Sequence, residues 1–112
     1  MVGKYITPCL FRGVAARCNY LSLDRPDLQY AAKEIRGEMS APTVQAFGKL
    51  KRIGHFLFNR PRFVWNFQYQ LSMEQMDVYV DANWAACKRS RKSTSGGCAM
   101  IGSHCIKTCA KT

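Results

Sequence analysis

Asp81 is the residue of this chain best placed to do chemistry. It stands in the run Met76 to Gly97, MDVYVDANWAACKRSRKSTSGG. Asp77, Tyr79, Asp81 and Asn83 alternate there with Val78, Val80, Ala82 and Trp84. A period of two places the apolar four on one face of a strand and the polar four on the other, with Asp81 near the strand's end. Four cations follow in a loop, Lys88, Arg89, Arg91 and Lys92. Carboxylate oxygens suit a hard cation such as Mg²⁺, and Lys and Arg suit a phosphate. The chemistry on offer is therefore metal-assisted work on a phosphodiester. Taken by itself the spacing also fits an aspartate that is merely solvated or caps a turn. Asp77 shares Asp81's face, but four residues of strand span about 13 Å, too far for the two to share a metal easily.

The elements that must position this stretch can be read on either side of it. Ser93-Thr94-Ser95-Gly96-Gly97 turns the chain into a second apolar run, and Gly97 to Ile101 and His104 to Cys109 flank Gly102-Ser103. Glycine at the first position of a two-residue turn suits a tight type II′ hairpin, so a meander of three strands is expected, starting with the Asp81 strand, one face of which can be buried. Upstream, Arg62 to Gln70 alternates Phe63, Trp65, Phe67 and Tyr69 with Arg62, Val64, Asn66, Gln68 and Gln70, which predicts a further strand. Such an aromatic row could stack bases; the preferred expectation is a buried sheet face.

Three helices are expected before residue 60. The first runs from Pro8 to about Leu23, with Leu10, Val14, Ala15, Cys18 and Leu21 at helical spacing. The second is capped by Asp24 with Pro26 in its first turn and ends near Met39. Leu28, Ala31, Ala32, Ile35 and Met39 form its apolar stripe, and Lys33, Glu34, Arg36 and Glu38 face solvent. The third follows Thr43 to about Phe58, burying Val44, Phe47, Leu50, Ile53 or Gly54, and Leu57. Its Lys49, Lys51, Arg52 and His55 lie outside, where the basic residues could track a phosphate backbone or simply be solvated.

Two segments together resemble a known family. VYVDANWAAC followed by RKSTSGGCAMIG is similar to the start of the ribonuclease H domain in copia-type LTR retrotransposon Pol polyproteins. NYLSLDRPDLQYAA, Asn19 to Ala32, is similar to the end of that family's reverse transcriptase, and Ala41-Pro42-Thr43 with the helix after it also fits. The resemblance implies an α+β chain. Residues 1–60 would be a helical thumb- or connection-like segment, and residues 61–112 a β-rich, partial ribonuclease H-like domain. It implies Asp81 as a catalytic, Mg²⁺-binding carboxylate, and Lys49, Lys51, Arg52, Lys88, Arg89, Arg91 and Lys92 as nucleic-acid contacts. The implied partners are an RNA–DNA hybrid and the remainder of the polyprotein, in the cytoplasm or a virus-like particle. Asn83 stands where the family usually has a second Asp, and Ala86 where Gly is common. The next acidic segment of the family and the polymerase's own Asp-Asp motif are absent from this sequence. The chain is thus expected to be an inactive fragment when alone, with open apolar edges and marginal stability. The alternative is a stand-alone basic nucleic-acid-binding module without catalysis.

Composition narrows the classes further. At 112 residues this is one small domain or part of something larger. An apolar share of 47% argues against a disordered chain. The net charge of +10, from 17 Lys and Arg against 7 Asp and Glu, points to a polyanion such as nucleic acid. Six cysteines, at 9, 18, 87, 98, 105 and 109, show no zinc spacing, and no secretory leader opens the chain. Reduced, mostly buried thiols in a cytosolic setting are expected, with no membrane span.

Overall fold

The computed structural model describes residues 7–112; the loose lead-in expected over residues 1–7 falls, apart from Thr7, outside the described residues. Three α-helices precede a three-stranded antiparallel sheet, an α+β arrangement. The chain divides into two compact units, Met1–Phe63 and Val64–Thr112.

Helix α1 spans Pro8–Leu21. Thr7 caps it by accepting the Leu10 N–H at 3.3 Å, and Pro8 occupies the first turn, where its missing N–H costs nothing. Its buried residues are Phe11, Ala15 and Cys18, a four-then-three spacing. The stripe is rotated from the expected one: Phe11, fully buried, leads it, and Leu10 is exposed. Pro26–Leu28 forms a single 3-10 turn that leads into α2, Gln29–Arg36. Asp24 does not cap this element. Arg25 holds the cap position with no side-chain cap bond, since a guanidinium has no acceptor to offer the first N–H groups and spends its donors elsewhere. It donates to both Asp27 oxygens, at 3.2 and 2.7 Å, and to the Arg60 carbonyl at 3.0 Å. That buried side chain ties the start of α2 to the end of α3, Val44–Asn59. Arg12 does the same between α1 and the chain after α2, donating to the Met39 carbonyl at 2.8 Å and the Ser40 carbonyl at 3.3 Å.

Thr43 caps α3 as expected, accepting the Ala46 N–H at 3.1 Å while donating to Glu38 at 3.0 Å. On α3, Ala46 and Ile53 are buried rather than Val44, which is exposed. The core joins Phe11, Ala15, Cys18, Leu28, Ile35, Ala46 and Ile53, with Phe11 meeting Phe47 edge to face at 5.0 Å. Lys33 corrects a second expectation, since it is buried, not solvated. Its ammonium lies 2.6 Å from Glu34 and 4.7 Å from the Tyr30 ring centre, so a paired and ring-facing cation replaces a hydrated one.

In the second unit, β1 (Met76–Asn83), β2 (Thr94–Ile101) and β3 (His104–Lys111) form a meander in the order β1-β2-β3. The Asp81 strand, β1, opens the meander as expected, and β2 is its middle strand. Met76 pairs with Ile101 and Asn83 with Thr94, while Ile101 pairs with His104 across the tight turn. A register irregularity between Ala99 and Met100 marks the β2–β3 ladder. Gly102 takes φ +58°, the left-handed value the turn demands, and a Cβ there would collide with the Gln70 side chain.

The strand expected over Arg62 to Gln70 is absent: residues 60–75 carry no regular secondary structure. Alternation decides which side chains share a side, but a strand also needs a ladder partner, and this segment finds another anchorage. Gln70 donates to the Ile101 carbonyl at 2.8 Å and accepts from the Ser103 N–H at 2.9 Å. The aromatic row is not a buried sheet face either; Trp65, Phe67 and Tyr69 are all exposed. Val78, Val80 and Trp84, expected inside, are exposed as well, because the second unit holds no helix among its described residues to lay over the sheet.

Candidate functional site

Asp81 lies three positions from the start of the β1–β2 connection, directly across from Gly96. A glycine opposite leaves the space beside the carboxylate free of a cross-strand side chain. Asp81 is exposed and makes no hydrogen bond or ion pair among the described residues. Asp77 differs, since it accepts from the Gln75 side-chain amide at 2.8 Å. Asn83, at the strand's last position, pairs with Thr94.

The connection after β1 is a shaped loop. Ala85 and Arg91 adopt left-handed φ values of 47° and 56°. The Arg91 N–H donates to the Cys87 carbonyl at 2.8 Å, and the Cys87 N–H to the Lys92 carbonyl at 3.2 Å. Ser93 closes the loop by accepting the Ala85 N–H on its hydroxyl at 3.1 Å. Lys88, Arg89, Arg91 and Lys92 are thereby displayed in water with no acidic partner among the described residues. Backbone bonds fix the loop while all four charges stay available, an arrangement suited to phosphate oxygens.

The basic residues on α3 divide. Lys51 and Arg52 are exposed. Lys49 is engaged, 2.7 Å from Glu38 and 3.8 Å from Glu34, and the hydrogen bond it donates to Glu38 holds its pKa above the usual lysine value. An open hollow of about 540 Å³ lies beside it, lined by Leu28, Tyr30, Ile53 and Phe56 and bordered by Glu34 and Arg52. His55 is exposed on the same helix.

Among the described residues no three His, Cys, Asp or Glu side chains come together as a metal-binding group. Asp81 can contribute one hard oxygen ligand, and the described residues do not assemble the others. All six cysteines are free thiols, but only Cys18 is buried, which corrects the expectation that most would be. Burial pushes the Cys18 thiol above its ordinary value of 9.0. A folded pKa above the unfolded one means this contribution to stability is complete below about 9 and is lost as pH rises through the folded value. The helical unit is therefore expected to melt at a lower temperature as pH is raised past that point, and Cys18→Ala to flatten the decline. Near neutral pH, mass-resolved alkylation of the native protein should label Cys9 and Cys109 well before Cys18.

Sequence patterns gave no sign of Gln70 or His104, which fix the segment before β1 to the β2–β3 turn. No local motif marks a long-range side-chain clamp; only the Gly102-Ser103 turn that receives it is visible. Among the described residues no helix is long and apolar enough to cross a membrane.

Comparison with known proteins gives relatives along nearly the whole chain. It is 32% identical over 108 residues, 96% of its length, to the uncharacterized mitochondrial protein AtMg00810 of Arabidopsis thaliana. The same identity and coverage relate it to the retrovirus-related Pol polyprotein from transposon RE1 of that plant, and 31% identity to the one from transposon RE2. The chain spans 45% of the mitochondrial protein and 7% of each polyprotein. No family model and no solved structure matches it.

Proposed function

We propose, for a chain that is homologous to the Pol polyproteins of plant transposons, that it is their junction between reverse transcriptase and ribonuclease H, of the copia type. The helical unit is the end of the polymerase part, and the meander is the opening of the ribonuclease H-like sheet. The observation that carries this is a match to Pol polyproteins over 108 residues, within which the unpaired Asp81 stands beside a fixed basic loop. Asp81 fits one oxygen-ligand position for Mg²⁺, and the other carboxylates come from polyprotein sequence outside these residues. When bound, such ions activate water and stabilise the leaving oxygen of a phosphodiester. The residues of this chain bind and orient: Lys88, Arg89, Arg91 and Lys92 take phosphates of an RNA–DNA hybrid, with Lys51 and Arg52 available on α3. Lys49, held by Glu38, is a weaker candidate than either.

Binding of a fluorescent RNA–DNA hybrid as a function of salt tests this. Affinity should fall steeply with salt. Replacing the four loop cations by alanine should shallow the slope by up to ~0.9 for each phosphate that is no longer neutralised. Equal slopes in the two proteins would remove the loop from the interface, and no binding to any nucleic acid would overturn the proposal.

A further inference from the structure

We infer that the segment Trp65 to Tyr69 is a stacking platform for the unpaired bases of single-stranded nucleic acid. The segment combines two properties that seldom occur together. Its aromatic side chains reach solvent, Tyr69 at 93% exposure, Phe67 at 55% and Trp65 at 36%, although the protein buries other large aromatics such as Phe11 completely. Yet its backbone is held. The Gln68 carbonyl accepts from His104 Nε2, which fixes the proton of that ring on Nε2, and Gln70 grips both sides of the Gly102 turn. Phe67 is braced edge to face against the His104 ring at 5.2 Å. Trp65 lies parallel to Phe67, with 4° between the planes and 6.1 Å between centres.

An exposed aromatic row ordinarily invites burial, and unanchored it would collapse or move. Here rigidity is supplied by hydrogen bonds to a hairpin rather than by an apolar layer, so the Trp65 and Phe67 rings are pre-organised while part of each stays in water. Aromatic faces held in parallel accept any nucleobase, because each base offers a π-face whatever its sequence. Bases within a duplex are already stacked, so the ligand must have unpaired ones. The excess of cations over anions, 17 against 7, and the displayed Lys88–Lys92 loop of the same unit supply attraction for the strand's backbone. An apolar protein partner would gain nothing from that charge, which is why the platform is assigned to a polyanion. The inference rests on the nucleic-acid function proposed above and adds a site and a strand state to it.

The test uses the full 112-residue chain carrying Trp84→Phe, which leaves Trp65 as its one indole. Oligo(dT) and oligo(U) should quench Trp65 fluorescence on binding, and a blunt RNA–DNA hybrid should bind without that quench. Trp65→Ala and, separately, Tyr69→Ala should weaken oligo(dT) affinity roughly 5- to 100-fold each, with the salt slope unchanged, since stacking releases no counterions. A difference between oligo(dT) and oligo(U) would say which strand the platform prefers; quenching by either supports it. Salt-dependent binding of the hybrid with no quench by single strands, or unchanged oligo(dT) affinity in both variants, would overturn the platform and leave the wider function standing. Absence of binding to every nucleic acid would overturn both.

Discussion

Asp81→Asn, introduced into a Pol polypeptide that contains this segment and its flanking regions, is expected to reduce Mg²⁺-dependent cleavage of the RNA strand of a hybrid by at least ~100-fold. Removal of groups that merely orient metal ligands costs about 10- to 100-fold, and a direct ligand should cost no less. Asparagine keeps the size and one carbonyl oxygen but loses the charge that competes for a divalent cation. Asp77→Asn is the internal control. Its carboxylate lies about 13 Å along the strand and already accepts from Gln75, so activity should stay near that of the parent. Equal losses in the two variants would indicate damage to β1 rather than removal of a ligand. Full activity in Asp81→Asn would end the metal-ligand assignment. The 112-residue chain alone should leave the hybrid uncut, because its described residues offer no cluster of ligands.

Phe11→Ala should have the largest effect on folding. Phe11 is completely buried at the meeting of α1 with Phe47 of α3, and with Ile35 it is one of the two largest fully buried side chains among the described residues. Truncating such a ring removes its transfer free energy and leaves a cavity, together about 3–5 kcal/mol. Small domains have only about 5–15 kcal/mol in total, so the helical unit should lose a large share of its stability and its helical signal should melt at a much lower temperature. Far-ultraviolet circular dichroism at the helical minimum measures this directly. Leu10→Ala, one residue earlier and exposed, should change it little, and a comparable loss in that variant would show that the buried stripe of α1 has been misassigned.

Phe11 also marks where sequence patterning stops being informative. The helices themselves are legible: Thr43 caps α3, proline sits in the first turn of α1, and apolar residues recur at helical spacing, although the Thr7 cap of α1 lies in what reads as a loose lead-in. Patterning does not say which of two adjacent apolar ridges turns inward, because Leu10-Phe11 and Val14-Ala15 serve either choice. Asp24-Arg25-Pro26 has the composition of a capped start, but Arg25 is worth more to the fold as a buried bridge to Asp27 and the Arg60 carbonyl than as a solvated neighbour. Lys33 reads as a surface residue until Glu34 and Tyr30 are seen to enclose its charge.

The strands divide in the same way. Gly102-Ser103 and the alternation of residues 76–83 define the meander because a tight turn fixes its own register. Arg62 to Gln70 alternates just as cleanly and forms no strand, since nothing in its own residues specifies a neighbour. At the site, Asp81 and the loop cations are visible in the sequence. The left-handed Arg91, the Ser93 closure and the fixing of Gln70 depend on bonds between residues far enough apart that no local pattern records them.

The unprotected edge of β1 gives Asp77 and Asp81 a second consequence. Two copies joined antiparallel along that edge, like face to like face, have two registers of equal, longest overlap, one centred on Tyr79 and one on Val80; take the first. Each Asp77 then stands opposite an Asp81, and like charges directly across a ladder repel. In that register the two carboxylates act as gatekeepers against strand addition, on a ribbon that has neither proline nor lysine to blunt it. Neutralising them to probe catalysis also removes that guard, so self-association belongs among the properties by which such variants are judged.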